Sequence, residues 1–341
     1  MFKSFILPLL VLLQIVAALE IAKPTVVKGP IDLSVGDIHI KDGASYSVVN
    51  NGFSNIVGGL TVDQDAGFYI SSTDSTLGLQ VNLWGFWNNI ENNGIVSFNA
   101  LQSTLAPSFV LQGASFRNTG SFFLAADGGT PPTMTLAAPN WYNSGTVVIY
   151  QNSRSRANAN LGSPLQTIVN DGSICFHNTL YNQVTSIQGS GCIVADAKST
   201  IRISNAFLPI APSQQFYLAD SESSINVQPL SSPATFNVAG FGNGNKIGLS
   251  VSLSASDKAY SYDSNTGILT LTGGLFDSVS QHFNIGKGYD PAKFERVTDD
   301  SAGLFSTPLG AVHYKGDVPN KVIPGKCVCQ NPPTFPTVPT S

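Results

Sequence analysis

Apolar and polar positions along this chain repeat as a unit. An apolar residue is followed two positions later by Asn and two positions after that by Gly, and then by a short run that alternates like a β-strand. Four clear copies and a degenerate fifth cover residues 90–98, 116–124, 141–150, 168–176 and 187–194. Their glycines are 26, 25, 27 and 19 residues apart, at Gly94, Gly120, Gly145, Gly172 and Gly191.

A spacing in the twenties, with one turn and short strands in each repeat, is typical of a solenoid. The unit is too rich in strand formers and Gly for a helical repeat. The pattern therefore predicts an all-β fold, a right-handed parallel β-helix (β-solenoid) whose coils stack about 4.8 Å apart. At each corner we expect the repeat glycine to take a positive φ, which a Cβ would disfavour, with Asn as the next most tolerant residue.

We expect the β-helix to span residues 19–234. Residues 19 to about 45 are expected to form the entry to the rod, with alternating strands at 31–35 and 38–40. Later strand-like runs lie at residues 67–70, 201–203 and 225–227. Helical periodicity is almost absent, and the 32 Gly and 20 Pro residues suit a β protein with many turns.

From about residue 235 the pattern changes, and residues 235–325 are expected to form a cap. Alternating strands are predicted at 237–240, 247–253 and 268–272, with a hairpin turn at 262–267. Because an open parallel edge invites aggregation, the last coil needs a cover, which a small antiparallel β-sandwich would provide. Asp290 and Pro291 are predicted to begin a short helix as its cap and first residue.

Both ends of the chain have the character of segments outside the fold. Residues 1–18 contain Lys3, a 12-residue apolar run and a small-residue cleavage site, as a secretory signal peptide does. That run is too short to cross a bilayer, and no later run reaches the length of a membrane span. Residues 326–341 form a tail with two cysteines and a Pro/Thr-rich linker, which is a candidate for O-glycosylation.

Four cysteines in an exported chain predict disulfides, at Cys175, Cys192, Cys327 and Cys329. Cys175 and Cys192 both lie an odd number of residues after their repeat glycines, so their side chains should share one face of neighbouring coils. A bridge from the tail to each coil fits this placement best. The rival pairing joins Cys175 to Cys192 and Cys327 to Cys329, which is strained. A zinc site is the weakest option, because Cys-x-Cys is short of the usual ligand spacing.

The charge composition argues against some partners. Charged residues make up 11% of the chain, against about 25% in ordinary globular proteins. The net charge is −4, and the densest basic cluster is Arg154-Ser155-Arg156. A nucleic-acid partner is therefore not expected. The surface polarity comes mainly from Ser, Thr and Asn, and no Asn-x-Ser/Thr sequon for N-glycosylation is present.

Enzymatic chemistry has few candidate residues, although β-helices also carry polysaccharide lyases and hydrolases. Such sites need clustered carboxylates and a cation that stabilises developing negative charge. Turns are predicted around each acidic pair, where Asp is usually structural. These pairs are Asp63/Asp65, Asp220/Glu222 and Asp299/Asp300. The histidines, at positions 39, 177, 282 and 313, are scattered. We therefore expect no catalytic residue, metal site or cofactor.

Aromatic residues are the candidates for ligand binding. Trp84 and Trp87 lie with Phe86 in one short segment, and Trp141 and Tyr142 begin a coil. Aromatic faces stack on sugars and on apolar peptide surfaces, and they are favoured at interfaces. Strand alternation places one ring of each adjacent pair in the core, so only the other ring is available to a ligand.

Several blocks of sequence resemble one known family in matching order, from about Ile21 to Cys329. The blocks are residues 162–165, 189–193, 217–221, 241–249 and 283–290. They are similar to the N-terminal domain of the hyphally regulated cell wall proteins, the Hyr/Iff-like adhesins of Candida-type yeasts. The resemblance implies a ligand-binding β-helix closed by a sandwich resembling the α-crystallin fold. It also implies a long Ser/Thr-rich stalk with a GPI signal, linked to wall glucan.

We therefore expect a non-enzymatic cell-wall adhesin, a surface glycoprotein that contributes to fungal virulence. Its expected partners are glycans or proteins on host or neighbouring yeast cells. The sequence stops at Ser341 without a stalk or GPI tail, so we expect it to be part of a longer protein, the alternative being a secreted member. Two other functions stay open: a carbohydrate-active β-helix enzyme, and a passive wall protein that masks the surface.

Overall fold

The structure is a computed structural model that describes residues 18–203, 207–229, 233–300 and 306–334. The expected signal peptide, apart from Ala18, and the end of the Pro/Thr-rich linker lie outside the described residues. Each coil contributes strands to three long sheets, in which successive coils pair in parallel. The prediction of an all-β parallel solenoid is confirmed, with about nine coils.

The three sheets are named in the order in which a coil passes through them. The first sheet consists of Leu19–Ile21, Ile38–Ile40, Leu60–Val62, Asn89–Asn92, Ser115–Asn118, Asn140–Asn143, Thr167–Asn170 and Ser186–Gln188. The second consists of Thr25–Lys28, Ser45–Val49, Gly67–Ser71, Ile95–Ala100, Ser121–Ala126, Thr146–Gln151, Ser173–His177, Cys192–Asp196, Gln215–Leu218, Thr235–Ala239, Val279–Asn284, Ile268–Gly273 and Tyr260–Asp263. The third consists of Phe53–Ile56, Gln80–Trp84, Ser108–Gln112, Thr133–Ala137, Asn158–Leu161, Leu180–Asn182, Thr200–Ile203, Ser224–Val227, Lys246–Leu249, Thr307–Tyr314 and Phe294–Asp299.

Helical structure in the described part of the chain is limited to three 3-10 helices, at Asp257–Ala259, Leu275–Asp277 and Pro291–Lys293. The last of these is the short helix that the sequence predicts. Asp290 is its cap, and one carboxylate oxygen of Asp290 accepts a hydrogen bond from the Ala292 N–H at 3.1 Å. Short polar side chains favour this position because the first N–H groups of a helix have no partner within it.

Side chains that point inward from each strand form the core. In the third sheet Leu83, Leu111, Leu136 and Leu161 are register partners in four successive coils, and all four are buried. In-register parallel pairing places each of them on the equivalent side chain of the next coil. Each coil therefore buries its apolar side chains against the coils on either side of it.

The repeat asparagines form a buried ladder at the corner between the first and second sheets. Asn92, Asn118, Asn143 and Asn170 end four successive first-sheet strands and are fully buried. The side-chain NH2 of each one donates to the amide oxygen of the next, at 2.7, 2.7 and 2.9 Å. A buried amide left without partners costs about 1–3 kcal/mol. The ladder satisfies these amides only when the coils stack in one register.

The repeat glycines have a different role from the predicted one. None of the five has a positive φ, so the prediction of a left-handed corner is wrong. The reason for Gly is instead the close approach of stacked corners. A Cβ on Gly145 would lie 2.0 Å from the carbonyl oxygen of Gly120, and a Cβ on Gly172 would lie equally close to that of Gly145. Any larger residue would force the coils apart.

The entry of the rod differs from the prediction at one of its two strands. Ile38–Ile40 is present, whereas residues 31–35 form no strand. A carboxylate oxygen of Asp32 accepts a hydrogen bond from the Ser34 N–H at 2.9 Å, and such a bond turns the chain away from an extended path. Leu33 is buried there. The segment therefore covers the open end of the core instead of extending a sheet.

At the other end, parallel pairing continues past residue 234, where we expected the cap to begin. Thr235–Ala239 and Lys246–Leu249 still pair in parallel with the preceding coil. The strand predicted at 247–253 ends at Leu249. Leu249 is the register partner of Val227, which ends the preceding strand, so the chain has reached the corner of the rod there.

Antiparallel strands follow and complete the end of the rod. Tyr260–Asp263 pairs with Ile268–Gly273 across the predicted hairpin turn, and Thr307–Tyr314 pairs antiparallel with Lys246–Leu249. Four aromatic rings pack together beside these strands, with centroids 4.9–6.2 Å apart. They belong to Phe241, Tyr289, Phe294 and Tyr314. The last coil is therefore covered by apolar side chains.

Two disulfides hold the tail on the outer face of the second sheet. Cys329 is bonded to Cys175, and Cys327 is bonded to Cys192, so one bridge reaches each of two neighbouring coils. Next to the Cys192–Cys327 bridge, the Ser173 hydroxyl donates to the carbonyl oxygen of Lys326 at 2.6 Å. The described residues contain no free cysteine.

The tail packs against an outward-facing apolar cluster. Phe123, Val148 and Val194 project from three strands of the second sheet, and they are buried together with Cys327. Farther along the tail, the side-chain oxygen of Gln330 accepts a hydrogen bond from Ser121 at 3.3 Å. The tail therefore crosses the second sheet toward the entry of the rod and occupies this face.

Replacing Gly145 by Ala should destabilise the rod, because the new Cβ would overlap the carbonyl oxygen of Gly120. We expect the free energy of unfolding in denaturant titrations to fall by at least about 2 kcal/mol, as for other overpacked sites. Gly325→Ala is the matched control, since nothing lies within 4 Å of its Cβ position. Equal stability of the two variants would contradict the close-approach explanation.

Removing one bridge with the paired substitutions Cys192→Ser and Cys327→Ser should also destabilise the chain. The unfolded chain gains freedom and the tail loses an attachment, so we expect a loss of about 2–5 kcal/mol in the free energy of unfolding. Peptide mapping of the unsubstituted chain without reductant should recover the Cys175–Cys329 and Cys192–Cys327 pairs. A Cys327–Cys329 peptide, or free thiols, would show that the tail is not bridged to the coils.

Candidate ligand-binding surface

An exposed turn carries two of the four predicted ligand-binding residues. We call residues 84–88 the aromatic turn; it joins the third-sheet strand Gln80–Trp84 to the first-sheet strand Asn89–Asn92. Trp84, Phe86 and Trp87 are 61%, 78% and 90% exposed. A solenoid otherwise buries its large apolar side chains between coils, so three adjacent exposed rings are a distinct surface feature.

The aromatic turn is exposed because its corner is longer than those of the next two coils. Residues 85–88 separate the two strands here, whereas residues 113–114 and 138–139 are enough at the next two corners. Stacking in register leaves no room for the extra residues inside the rod. They are therefore pushed outward, and Phe86 and Trp87 go with them.

Hydrogen bonds to both neighbouring coils hold the base of the aromatic turn. The Asn88 side-chain NH2 donates to the Val57 carbonyl at 2.9 Å, and the Asn88 carbonyl accepts from the Ala114 N–H at 2.7 Å. Within the turn, the Asn88 N–H donates to the Gly85 carbonyl at 3.2 Å. The rings are thus displayed from a fixed backbone, which reduces the entropy lost on binding.

Two rings of the aromatic turn, Trp84 and Phe86, pack against each other. The Trp84 and Phe86 centroids are 5.5 Å apart at an interplanar angle of 63°, an edge-to-face arrangement. Trp87 projects beside them, and Val57 of the preceding coil is also exposed. Covering one such ring with a partner would contribute about 1.5–3 kcal/mol.

The other two predicted residues lie elsewhere and in different environments. Trp141 is 2% exposed, packs on Phe116 at 4.8 Å, and donates from its indole N–H to the Leu136 carbonyl at 3.2 Å. Tyr142 points to the outer face of the first sheet, where the Arg117 guanidinium lies 4.9 Å from its ring centre. Only Trp84 and Trp87 are therefore brought together at the surface.

Three of the four histidines lie within hydrogen-bond distance of single carboxylates. His39 contacts Asp63 and His177 contacts Asp196, each at 2.9 Å, and His313 contacts Glu295 at the same distance. The hydrogen bond from His177 lowers the pKa of Asp196 below its ordinary value. His282 instead contacts the Thr270 hydroxyl at 2.9 Å. These histidines are spread over the rod and do not form one reactive group.

The acidic residues that the sequence singled out also have structural partners. Asp220 caps a turn by accepting from the Glu222 and Ser223 N–H groups, at 2.6 and 3.0 Å, and Asp300 pairs with Lys246 at 2.6 Å. Asp299 is buried and ends a strand, whereas the sequence predicted a turn there. Its carboxylate faces Asn226 and Arg154, and these polar partners are the reason why it can be buried.

The two arginines of the basic cluster differ in environment, since Arg154 is partly buried near Asp299 and Arg156 is exposed. Burial lowers the pKa of Arg154 to about 10, while the nearby Asp299 opposes this change. Among the described residues, no group of three or more His, Cys, Asp or Glu side chains is placed to hold a metal ion. In the same part of the chain, no helix has the length and apolar character needed to span a membrane.

An open groove of about 960 Å³ lies at the corner between the first and second sheets near the entry of the rod. Three carboxylates, Asp42, Asp63 and Asp65, and the ring of Tyr69 line it. Its lining residues include no Lys or Arg. Asp63 is already paired with His39.

The chain is similar to proteins of one family along almost its whole length. A family model for the N-terminal region of hyphally regulated cell wall proteins matches residues 9–336. "Cell wall protein IFF6" of Candida albicans is 50% identical over 98% of this chain. "Cell wall protein RBR3" and "Hyphally regulated cell wall protein 3" of the same species are 49% and 46% identical over 95% and 98% of it.

These relatives are much longer than the chain. The matched region is 31% of the first relative, 21% of the second and 27% of the third. The chain thus spans about a fifth to a third of the length of these three relatives. The fold and the aromatic turn described above belong to this matched region.

Proposed function

This chain belongs to the hyphally regulated cell wall protein family, and we propose that it is the ligand-binding domain of a non-enzymatic cell-wall adhesin. Three relatives carry "cell wall protein" in their names, which supports a place in the fungal wall. The observation that carries adhesion is the aromatic turn, where Trp84, Phe86 and Trp87 are exposed on a fixed backbone.

Adhesion through this surface follows from the way the rod is built. The coils bury their apolar side chains against one another, so the outer surface does not depend on a partner for its shape. A preformed surface loses little entropy on contact. Many copies displayed on one cell wall then add their weak contacts by avidity. The proposed partners are glycans or proteins on host or neighbouring yeast cells.

The route to the wall is part of the same proposal. Residues 1–18 direct export, and the tail beyond Cys329 leads toward a stalk that is GPI-linked to wall glucan in the full-length protein. We also propose that the coils wind in the right-handed sense. Residues 235–325 would act as a cap, with the antiparallel strands as one part of an α-crystallin-like sandwich.

The second candidate function is that of a carbohydrate-active enzyme. The one observation in its favour is the groove lined by Asp42, Asp63 and Asp65. Lyase or hydrolase chemistry needs a cation or a proton donor near such carboxylates, and the groove lining supplies no Lys or Arg. Turnover of a pectin-like or glucan substrate by the purified chain would favour this alternative.

Beads coated with the purified chain should bind epithelial or yeast cells better than albumin-coated beads do. The double substitution Phe86→Ala and Trp87→Ala should remove most of that gain, because the rings supply the apolar contact area. Leu165→Ala is the matched control, since Leu165 is an exposed apolar residue (73%) at the corner of another coil. Adhesion should survive this control substitution.

Two outcomes would contradict the proposal. Beads that bind no better than albumin-coated beads on any surface would favour a passive masking protein. Equal adhesion by the Phe86→Ala/Trp87→Ala double variant and the Leu165→Ala variant would place the contact elsewhere on the rod. Circular dichroism and thermal unfolding of each variant provide the check that the β-helix is intact.

A further inference from the structure

A second exposed apolar turn lies at the cap end of the rod, outside the surface described above. Leu275 and Phe276, between two antiparallel strands, are 76% and 93% exposed. Phe276 and Asp277 both have positive φ values, 58° and 57°. Residues with a Cβ adopt this conformation at a cost in free energy, and such costs are concentrated at functional sites.

The turn keeps this conformation because the backbone around it is fixed. The Gly274 N–H donates to the Ser252 carbonyl at 3.1 Å, and the Asp277 N–H donates to the Gly274 carbonyl at 3.3 Å. A Cβ on Gly273 would lie 2.5 Å from the Ser252 carbonyl oxygen, so the two segments are in close contact. Phe276 is therefore held outward by the structure beneath it.

An open groove of about 890 Å³ runs between this turn and residues 250–256. We call it the serine groove. Five serines, four of them at alternating positions, and one threonine line it, together with the apolar turn and one acid, Asp277. The hydroxyl-bearing residues are Ser250, Ser252, Ser254, Ser256, Ser306 and Thr307. The lining contains no Lys or Arg, so the groove offers neutral hydrogen-bonding groups beside an apolar rim.

We propose that the serine groove is a binding site for a neutral saccharide. Serine and threonine hydroxyls both donate and accept, as sugar hydroxyls do. Those of Ser254 and Ser256 are hydrogen-bonded to each other at 2.8 Å, so the hydroxyls of Ser250, Ser252, Ser306 and Thr307 are the ones expected to bond a sugar. The exposed ring of Phe276 supplies a flat face for the apolar side of a sugar ring. The Asp277 carboxylate and the absence of a lining cation disfavour sialylated or sulfated sugars.

The serine groove and the aromatic turn lie on the same edge of the rod, but they are separate sites. Both follow a third-sheet strand at the same corner of the coil: the aromatic turn follows Gln80–Trp84 and the groove follows Lys246–Leu249. These are the second and ninth strands of that sheet from the entry. Seven strand spacings of about 4.8 Å separate the two sites by roughly 34 Å along one edge of the rod.

The test uses neutral oligosaccharides of glucose, mannose, galactose or N-acetylglucosamine as probes, with sialylated and sulfated oligosaccharides for comparison. Binding is followed by saturation-transfer NMR and calorimetry on the chain carrying Phe86→Ala and Trp87→Ala. In this background the aromatic turn keeps only Trp84, and dependence on Phe276 identifies binding in the serine groove, so failure of the proposed adhesion surface and failure of the serine groove are distinguishable. We expect at least one neutral probe to bind.

Adding Phe276→Ala should weaken that binding by roughly tenfold or more, the size expected for a lost aromatic contact. Phe276→Gly should weaken it equally and should raise the unfolding temperature, because Gly adopts a positive φ without cost. Leu165→Ala should change neither the affinity for the probe nor the unfolding temperature. No binding by any neutral probe, binding of charged probes alone, affinity unaffected by Phe276→Ala, or a Phe276-dependent association of two chains would each overturn the proposal.

Discussion

The stacking of corner on corner between the first and second sheets constrains the rest of this molecule. There the amides of Asn92, Asn118, Asn143 and Asn170 are hydrogen-bonded in one line, and the repeat glycines leave no room for a Cβ. Both conditions are met at only one register and one coil spacing. That register in turn places the inward side chains in continuous columns, which is how strands of three to six residues form a stable core.

The same constraint explains at which corners of the rod the length of the turn can vary. In the four coils of the asparagine ladder the corner between the first and second sheets is always two residues long, whereas the corner after the third sheet accepts turns of different length. The four-residue corner at residues 85–88 and the longer excursion after Leu249 both lie there. The outer face of the second sheet is unavailable, because the tail bridged at Cys327 and Cys329 covers it. One edge of the rod thus carries the exposed rings, and another side carries the tail.

The repeat made the fold predictable from sequence, because apolar, Asn and Gly positions recur together. The structural role of the repeat Asn and Gly residues could not be predicted in the same way. Asn and Gly are both tolerant of strained turns, and only the contacts between coils show that a ladder and a close approach are responsible. Alternation predicted that one ring of each adjacent aromatic pair is buried. This is correct for Trp141 and Tyr142, although alternation did not say which ring it would be. It is wrong for Phe86 and Trp87, which are both exposed because they lie in a turn and not in a strand. Phe276 carried a local signal, an apolar pair after Gly273-Gly274, yet its exposure depends on the backbone of Ser252.

We infer that the aromatic turn contacts the cell surface, while the tail-covered face does not. Hydroxyl-radical footprinting of the chain, free and bound to cells, measures this residue by residue. We expect the oxidation of Trp84, Phe86 and Trp87 to fall on binding, and the oxidation of Tyr150 and Tyr217 of the second sheet to stay unchanged. Protection of Tyr150 and Tyr217, with the three rings of the aromatic turn still fully oxidised, would contradict this inference.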